Sequence, residues 1–240
     1  RLSLHDGILY IATTKGVYAL DTQSRNWRLL THIVPEVEPE KAFNNELFKH
    51  RQSNTKALHI DSSNNLWIGT VEGLYSLSTK NMRLYINQNA PLATAKLRMS
   101  ARNIWRIFPD GDTLYLATDD GLYTFSPLTD SAKRLWRFSD SQFGLEDNNI
   151  REMLRDNQGN FWLASKSNGI YLWHPRSRLF YNLYRQKGAA EQLSHNNVNA
   201  VAEAADGGVW IGTRNGLNRY DKQTGQIETY FVSSDLKSTR

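Results

Sequence analysis

The stretch NNLWIGTVEGLYSL, residues 64–77, decides the fold, because near-copies of it recur along the chain. Each copy has an aromatic residue, here called the anchor, followed by a small residue, a hydroxyl residue and a glycine. The anchors are spaced by 57, 48, 47 and 48 residues, at Tyr10, Trp67, Tyr115, Trp162 and Trp210. The glycines keep nearly the same rhythm, at Gly16, Gly73, Gly121, Gly169 and Gly216. Five copies in phase indicate an internal repeat.

Each copy reads as short strands separated by turns. A turn rich in Asp, Asn or Gly precedes the anchor, as in DSSNN (61–65), and offers residues that accept a positive φ. The anchor strand, such as LWIGT (66–70), and the strand that starts at the glycine, such as GLYSL (73–77), come next. RLYIN (83–87) and IETYF (227–231) exemplify the predicted fourth strand. Four antiparallel strands in about 40–50 residues predict one propeller blade.

The repeated positions have structural explanations. The small residue leaves room where neighbouring backbones approach closely (Ala12, Gly69, Ala117, Ala164, Gly212). The hydroxyl is expected to hydrogen-bond the turn backbone at the strand end (Thr13, Thr70, Thr118, Ser165, Thr213). The glycine is expected to adopt a turn conformation that is costly for other residues. The anchor supplies a large buried area between blades. We therefore interpret these positions as scaffold.

The sequence predicts an all-β chain, a β-propeller built from about five four-stranded antiparallel blades. The single propeller segment 1–240 is divided into blades at about 1–34, 53–90, 102–139, 149–187 and 197–233. The first copy has only RLSL before its first turn, and the chain starts at Arg1. Both features favour a piece of a longer precursor and of a larger, seven-bladed array. An open end of such an array is expected to expose apolar blade faces and to invite association with a second copy.

Composition narrows the class of protein. The 240 residues include no cysteine, which excludes disulfides and thiol catalysis, and no apolar run long enough to span a membrane. The formal net charge is +5, but Lys and Arg are scattered rather than clustered in a stripe. A solvated basic surface is therefore favoured over a nucleic-acid interface.

The repeats resemble a known family. NNLWIGTVEGLYSL (64–77) and GGVWIGTRNGLNRYDKQTGQIETY (207–230) look like the two-component regulator propeller repeat. The resemblance covers the chain apart from an insert at 31–52. In that family, tandem repeats form the extracytoplasmic sensor of a bacterial membrane receptor, followed by a cytoplasmic histidine kinase or diguanylate cyclase. The resemblance implies a periplasmic, non-catalytic sensor domain without a cofactor, in a receptor that self-associates as a dimer.

Specificity is expected near the start of each first strand, which faces the channel of a propeller. An asparagine recurs there and is expected to serve as a structural cap or blade-to-blade bond, with ligand contact as the alternative (Asn54, Asn103, Asn149, Asn197). Two residues further on, the copies disagree (Lys56, Trp105, Arg151, Asn199). Stacking on Trp105 and charged hydrogen bonds from Lys56 and Arg151 suit an anionic or glycan-like small molecule. A merely solvated channel remains the alternative.

Two further regions are weaker candidates. The turn residues on the same face are Lys15, Glu72, Asp119, Asp120, Lys166, Arg214 and Asn215. The insert THIVPEVEPEKAFNNELFKHRQ (31–52) reads either as a partner surface or lid, or as a tolerated surface insertion.

An enzyme needs reactive side chains that are placed to act together, and the sequence shows no such set. The six histidines show no metal-ligand spacing, and Ser194 and His195 lie outside a nucleophile-elbow context. We therefore expect no catalytic and no metal-binding residues. Three hypotheses remain: a ligand sensor, a protein-interaction propeller, and a propeller lyase or hydrolase. The third is kept because streptogramin lyases are propeller enzymes with similar repeat patterns.

Overall fold

The computed structural model describes residues 1–30, 54–88, 94–96, 103–136, 148–176, 180–185 and 192–230. These residues form twenty strands and one helix. The strands are grouped in five four-stranded sheets, and neighbours in the chain are neighbours in each sheet. Contacts divide the chain into two compact units, Arg1–Arg134 (unit 1) and Leu135–Arg240 (unit 2). The insert 31–52 lies outside the described residues.

Unit 1 contains sheets 1 to 3, with the end of β12 extending past its boundary. Sheet 1 comprises β1 (Leu2–His5), β2 (Ile8–Thr13), β3 (Gly16–Asp21) and β4 (Trp27–Leu30). Sheet 2 comprises β5 (Thr55–Ile60), β6 (Asn65–Thr70), β7 (Gly73–Ser78) and β8 (Thr94–Lys96). Sheet 3 comprises β9 (Ile104–Asp110), β10 (Thr113–Thr118), β11 (Gly121–Ser126) and β12 (Ser131–Trp136).

Unit 2 contains sheets 4 and 5. Sheet 4 comprises β13 (Ile150–Arg155), β14 (Phe161–Ser165), β15 (Ile170–Trp173) and β16 (Phe180–Leu183). Sheet 5 comprises β17 (Val198–Glu203), β18 (Val209–Thr213), β19 (Gly216–Tyr220) and β20 (Ile227–Tyr230). Five antiparallel sheets of this kind are the blades of a propeller-like fold, which confirms the all-β prediction. Membership of a larger, seven-bladed array remains a prediction.

One predicted strand is wrong. Residues 83–87 belong to helix α1 (Met82–Gln88), and the fourth strand of sheet 2 is the later segment β8. Met82 and Ile86, one helical turn apart, are both buried in the core shared by sheets 1 and 2. Arg28 holds the helix in place, because its Nε donates to the Ile86 carbonyl oxygen at 2.9 Å.

The scaffold role of the repeated positions is confirmed. The hydroxyl of Thr70 donates to the Gly73 carbonyl oxygen at 3.0 Å, and Thr13, Thr118 and Thr213 make the same bond in their own sheets. The repeated glycine has a positive φ in all five sheets, for example +127° at Gly73. A Cβ on Gly69 would stand 2.9 Å from the carbonyl oxygen of Ile104, so the small residue is required where sheets 2 and 3 approach each other.

Candidate functional site

The four positions at which the copies disagree are β-bulges. In sheet 2 the pairing of β5 with β6 runs from Thr55 to Ala57 and leaves out Lys56. The same interruption leaves out the equivalent residue of sheets 3, 4 and 5, namely Trp105, Arg151 and Asn199. A bulged residue is excluded from the hydrogen-bond ladder and its side chain is redirected. The positions at which the copies differ in sequence are therefore positions that take no part in strand pairing.

The asparagine before each bulge anchors the start of the first strand. Its backbone carbonyl oxygen accepts a hydrogen bond from the turn between the second and third strands of its own sheet, at 3.3 Å for Asn54, 3.3 Å for Asn103, 3.0 Å for Asn149 and 2.9 Å for Asn197. The Asn103 side chain also donates to Asp119 Oδ2 at 2.5 Å. The residue after the asparagine is paired with the second strand, and the bulged residue follows it.

The asparagine side chains are not all explained by this capping role. In the part of the chain that the structure describes, the buried Oδ1 atoms of Asn54 and Asn197 have no hydrogen-bond donor. A buried acceptor without a donor is costly. The cap prediction therefore accounts for the backbone of these residues, whereas the role of their side chains stays open between scaffold and ligand contact.

Lys56 and Trp105 are brought together in unit 1. Their strands, β5 and β9, are adjacent first strands of neighbouring sheets. The Lys56 ammonium lies 5.7 Å from the centroid of the Trp105 ring, within cation–π range. Both side chains are half-buried. The pair presents a positive charge beside an aromatic surface.

Arg151 and Asn199 form the corresponding pair of positions in unit 2. They lie on the adjacent first strands β13 and β17. Arg151 is half-buried and Asn199 is exposed. A single pocket that combines these residues with Lys56 and Trp105 remains a prediction.

Several of the weaker turn candidates are engaged in local structure. The backbone N–H groups of Lys15, Glu72, Asp120 and Asn215 donate to the hydroxyl of the threonine two residues earlier. The Asp120 carboxylate accepts hydrogen bonds from the Tyr123 hydroxyl at 2.7 Å and from Arg134 at 2.9 Å. Asp119 is held by Asn103. Lys166 and Arg214 have exposed side chains.

Sequence reasoning missed a carboxylate that fixes the anchor tryptophan. Asp61 accepts a hydrogen bond from Trp67 Nε1 at 2.8 Å, and Asp156 accepts one from Trp162 Nε1 at 2.9 Å. In both copies the aspartate stands six residues before the tryptophan, so this spacing was an available signal. Ala204 stands six residues before the anchor Trp210, so this copy has no carboxylate at that position.

Asp156 is also the centre of an ionic network in unit 2. Lys222 Nζ lies 3.1 Å from Asp156 Oδ2 and 2.9 Å from Glu203 Oε1. The Asp156 side chain is 0% exposed and that of Lys222 is 12% exposed. The network joins sheets 4 and 5 beside a polar depression of about 430 Å³. The loss of one partner would leave a buried charge without full compensation.

Acid is expected to destabilise the protein through these carboxylates. Burial alone raises the pKa of Asp156 and of Asp61, but their hydrogen bonds outweigh burial and hold each pKa below its usual value. A carboxyl whose folded-state pKa is lowered contributes stability that is present above about pH 4 and is lost as the pH falls toward the folded-state value. Urea unfolding at pH 5, 4 and 3 should therefore show a falling free energy of unfolding. Asp156→Asn should make that dependence shallower; an identical pH dependence in this variant would contradict the assignment.

The described residues offer little catalytic chemistry. Among them, no group of three or more His, Asp or Glu side chains is placed to hold a metal ion. Ser194 is buried, and its hydroxyl lies 2.7 Å from Thr213 Oγ1, whereas His195 Nδ1 accepts from the Asn197 backbone N–H. The neighbouring Ser194 and His195 therefore bond to different partners. No helix in the described ranges is long and apolar enough to cross a membrane.

Comparison with known families identifies two of the five repeats. The family described as two component regulator propeller matches residues 144–167 and 192–215. These two segments, in sheets 4 and 5, are therefore similar to two-component regulator propeller repeats. The matched segments include the starts of sheets 4 and 5, where the repeat places Arg151 and Asn199 on its bulges. The resemblance found in the sequence is confirmed. No curated protein matches the chain significantly.

Solved structures share the fold of these two-component regulator propeller repeats. The extracellular domain assigned to the hybrid two component system BT3049 of B. thetaiotaomicron matches with a TM-score of 0.70 and 14% identity, over 96% of this chain and 30% of that chain. Virginiamycin B lyase from Staphylococcus aureus matches with a TM-score of 0.61 and 8% identity, over 98% of this chain and 70% of that chain. PorZ, a surface component of the type-IX secretion system of Porphyromonas gingivalis, matches with a TM-score of 0.61 and 13% identity, over 99% and 32%.

The TM-scores of 0.61 to 0.70 show a common fold, and identities of 8–14% show nothing beyond it. The chain spans about a third of the length of the extracellular domains of BT3049 and BT4673, at 30% and 35%.

Proposed function

We propose that this chain is the ligand-sensing part of a bacterial membrane signalling receptor, either a two-component sensor kinase or a diguanylate cyclase. It lies on the periplasmic side and is not catalytic itself. The repeat family and the fold shared with extracellular domains of hybrid two component systems support this proposal.

The observation that carries the proposal is the contact between Lys56 and Trp105. Both residues sit on bulges of adjacent first strands, and the ammonium lies 5.7 Å from the indole centroid. A cation beside an aromatic plane suits a ligand that combines a flat or sugar-like surface with a negative charge. The bulges place both residues outside the backbone pairing of their sheets. Arg151 and Asn199 hold the equivalent bulged positions within unit 2 and are proposed to contact ligand there.

A catalytic role is not favoured by the shared fold alone. Virginiamycin B lyase has 8% identity to this chain, and a shared fold at that identity does not indicate a shared reaction. Two of the carboxylates whose pKa is lowered, Asp61 and Asp156, accept hydrogen bonds from scaffold tryptophans. They serve stability rather than proton transfer.

Ligand binding is expected to depend on the bulged residues. A panel of organic acids and neutral and acidic glycans should contain compounds that raise the melting temperature, because a ligand that binds only the folded state stabilises it. Titration calorimetry should then show that Trp105→Ala and Arg151→Ala each weaken binding about tenfold, with little change in the melting temperature of the free protein. Lys56→Met removes the positive charge and keeps an aliphatic side chain. It should weaken the binding of anionic ligands more than the binding of neutral ones.

The control is Trp27→Ala, which removes an exposed tryptophan on sheet 1 and should leave binding unchanged. A ligand that binds the Trp105 and Arg151 variants with wild-type affinity would show that the bulged residues are not the site.

A further inference from the structure

Two aspartates hold the same position in sheets 2 and 4 and accept the same set of hydrogen bonds. Asp61 and Asp156 each stand six residues before their anchor tryptophan. In both residues, Oδ1 accepts from two backbone N–H groups of the following turn. Oδ2 accepts from an asparagine side chain and from the anchor indole, at 2.8 Å for Trp67 and 2.9 Å for Trp162. Any difference between the two carboxylates lies beyond these four bonds.

In unit 2 the carboxylate has a cation as a fifth partner. Lys222 Nζ lies 3.1 Å from Asp156 Oδ2 and 2.9 Å from Glu203 Oε1. Lys222 belongs to the turn that follows β19, and Glu203 ends β17, so both residues come from sheet 5. The junction of sheets 4 and 5 therefore holds one ammonium between carboxylates of two neighbouring sheets.

In unit 1 a proline stands in place of this lysine. Pro127 of sheet 3 and Lys222 of sheet 5 each lie twelve residues after their anchor aromatic. The two turns correspond, because Asp130 and Gly225, three residues further on, both have a positive φ. Proline is uncharged and its ring is short, so sheet 3 offers no ammonium to sheet 2 at this position.

The second carboxylate of the unit 2 network is also replaced by a proline. Glu203 pairs with Val209, the residue directly before the anchor of sheet 5. In sheet 3 the residue directly before the anchor is Leu114, and it pairs with Pro109. Unit 1 thus keeps the aspartate and lacks both the cation and the glutamate that accompany it in unit 2.

A cleft of about 250 Å³ lies beside the aspartate in unit 1. Asp61 lines it on the side of sheet 2, and Pro109, Leu114, Pro127 and Leu128 line it on the side of sheet 3. Within the described ranges no lysine or arginine pairs with the Asp61 carboxylate. The cleft therefore combines an apolar wall with a carboxylate that has no cationic partner among the described residues.

The other ionisable groups that line the cleft do not oppose a cation. Burial lowers the pKa of the His59 imidazole, so this ring is uncharged at pH 7. Asp112 lies in an exposed turn at the edge of the cleft and adds a second carboxylate. The lining of the cleft is therefore negatively charged at neutral pH.

We propose that this cleft binds a small molecule that carries a primary ammonium group on an aliphatic stem of about four to six carbons. The ammonium takes the place beside Asp61 that Lys222 Nζ takes beside Asp156. The stem lies along the prolines and Leu128, as the stem of a lysine covers apolar surface while its charge meets a polar partner. This cleft is at the end of β5, whereas Lys56 lies near the start of that strand, so the two sites are separate.

The indole N–H of Trp67 provides a direct measurement, because it donates to the Asp61 oxygen that receives the ammonium. We expect n-pentylamine to shift the ¹H–¹⁵N signal of this indole in a saturable way, with a dissociation constant of about 0.1–10 mM for so small a ligand. A titration to about 40 mM at pH 7 and constant ionic strength covers this range. The signal of Trp162 should not move, since Lys222 already occupies its carboxylate.

Two reciprocal variants test the equivalence of the junctions. Pro127→Lys supplies unit 1 with the lysine of unit 2 and should weaken amine binding at Trp67 at least tenfold. Lys222→Ala removes the lysine from unit 2 and should make the Trp162 signal respond to n-pentylamine. Asp61→Asn should also weaken binding at Trp67 at least tenfold, and it replaces the first variant if circular dichroism shows that Pro127→Lys is not folded. Neutral 1-pentanol and anionic pentanoate are the matched control ligands.

Three results would overturn the proposal. One is a Trp67 signal that n-pentylamine leaves unchanged up to about 40 mM, well above the expected constant. Another is a shift of equal size and midpoint with 1-pentanol, which would mean that the charge is not recognised. The third is a folded Pro127→Lys or Asp61→Asn variant that binds the amine with wild-type affinity, which would place the binding outside this cleft.

Discussion

Gly169→Ala is expected to lower the free energy of unfolding by about 4 kcal/mol or more, the range of the most damaging single substitutions. Gly169 has a φ of +74°, and a Cβ on it would overlap the backbone carbonyl oxygen of Leu183. Its N–H also donates to the Asn196 carbonyl oxygen at 2.8 Å, so the backbone cannot move away without losing that bond. Urea unfolding followed by circular dichroism would measure the loss.

Gly73→Ala is the matched control. Gly73 holds the same repeat position with a φ of +127°, but a Cβ there would meet nothing within 4 Å. Only backbone strain remains, and the expected loss is about 1–2 kcal/mol. Equal losses in the two variants would show that the contact with Leu183 does not determine the requirement for glycine at position 169.

Asp156→Ala is expected to lower the free energy of unfolding by about 3–5 kcal/mol. The substitution removes the acceptor for Trp162 Nε1 at 2.9 Å and one of the two carboxylates that neutralise Lys222. The buried indole N–H would then lack its acceptor, and the nearly buried ammonium would keep only the Glu203 carboxylate. The same urea titration would report the loss, together with a change in the fluorescence of the buried tryptophan.

The control for this prediction is Asp206→Ala, which removes an ion pair with Arg219 from a turn whose carboxylate is 60% exposed. A loss below about 1 kcal/mol is expected there. The double variant Asp156→Ala with Lys222→Met should lose less than the sum of the single variants, because Lys222 costs more without its partner. Strict additivity would argue against an energetic link between the two side chains.

The sequence predicted the scaffold well because each repeated residue meets the same environment five times. The threonine hydroxyls and the glycines with positive φ follow directly from the repeat. Helix α1 was missed because RLYIN shows an apolar alternation that suits a strand, whereas its burial comes from the spacing of Met82 and Ile86. Short apolar runs are ambiguous in this way.

The candidate site was predicted only as a set of positions. Disagreement between copies identified Lys56, Trp105, Arg151 and Asn199, but one sequence does not show that these residues are bulges. A bulge is a feature of the register between two strands, which the residues of one strand do not show by themselves. The role of Asp156 was missed for a similar reason, since its partner Lys222 is 66 residues away in the chain.

The bulges also separate two kinds of selection on the same strand. The backbone at Lys56 and Trp105 takes no part in strand pairing, whereas the residues on either side of them are paired. In sheets 2 to 5, one side chain of each first strand therefore differs between copies while the pairing around it stays the same. The same frame carries a lysine, a tryptophan, an arginine and an asparagine at one repeat position, so the repeat can vary its chemistry there without a change of register.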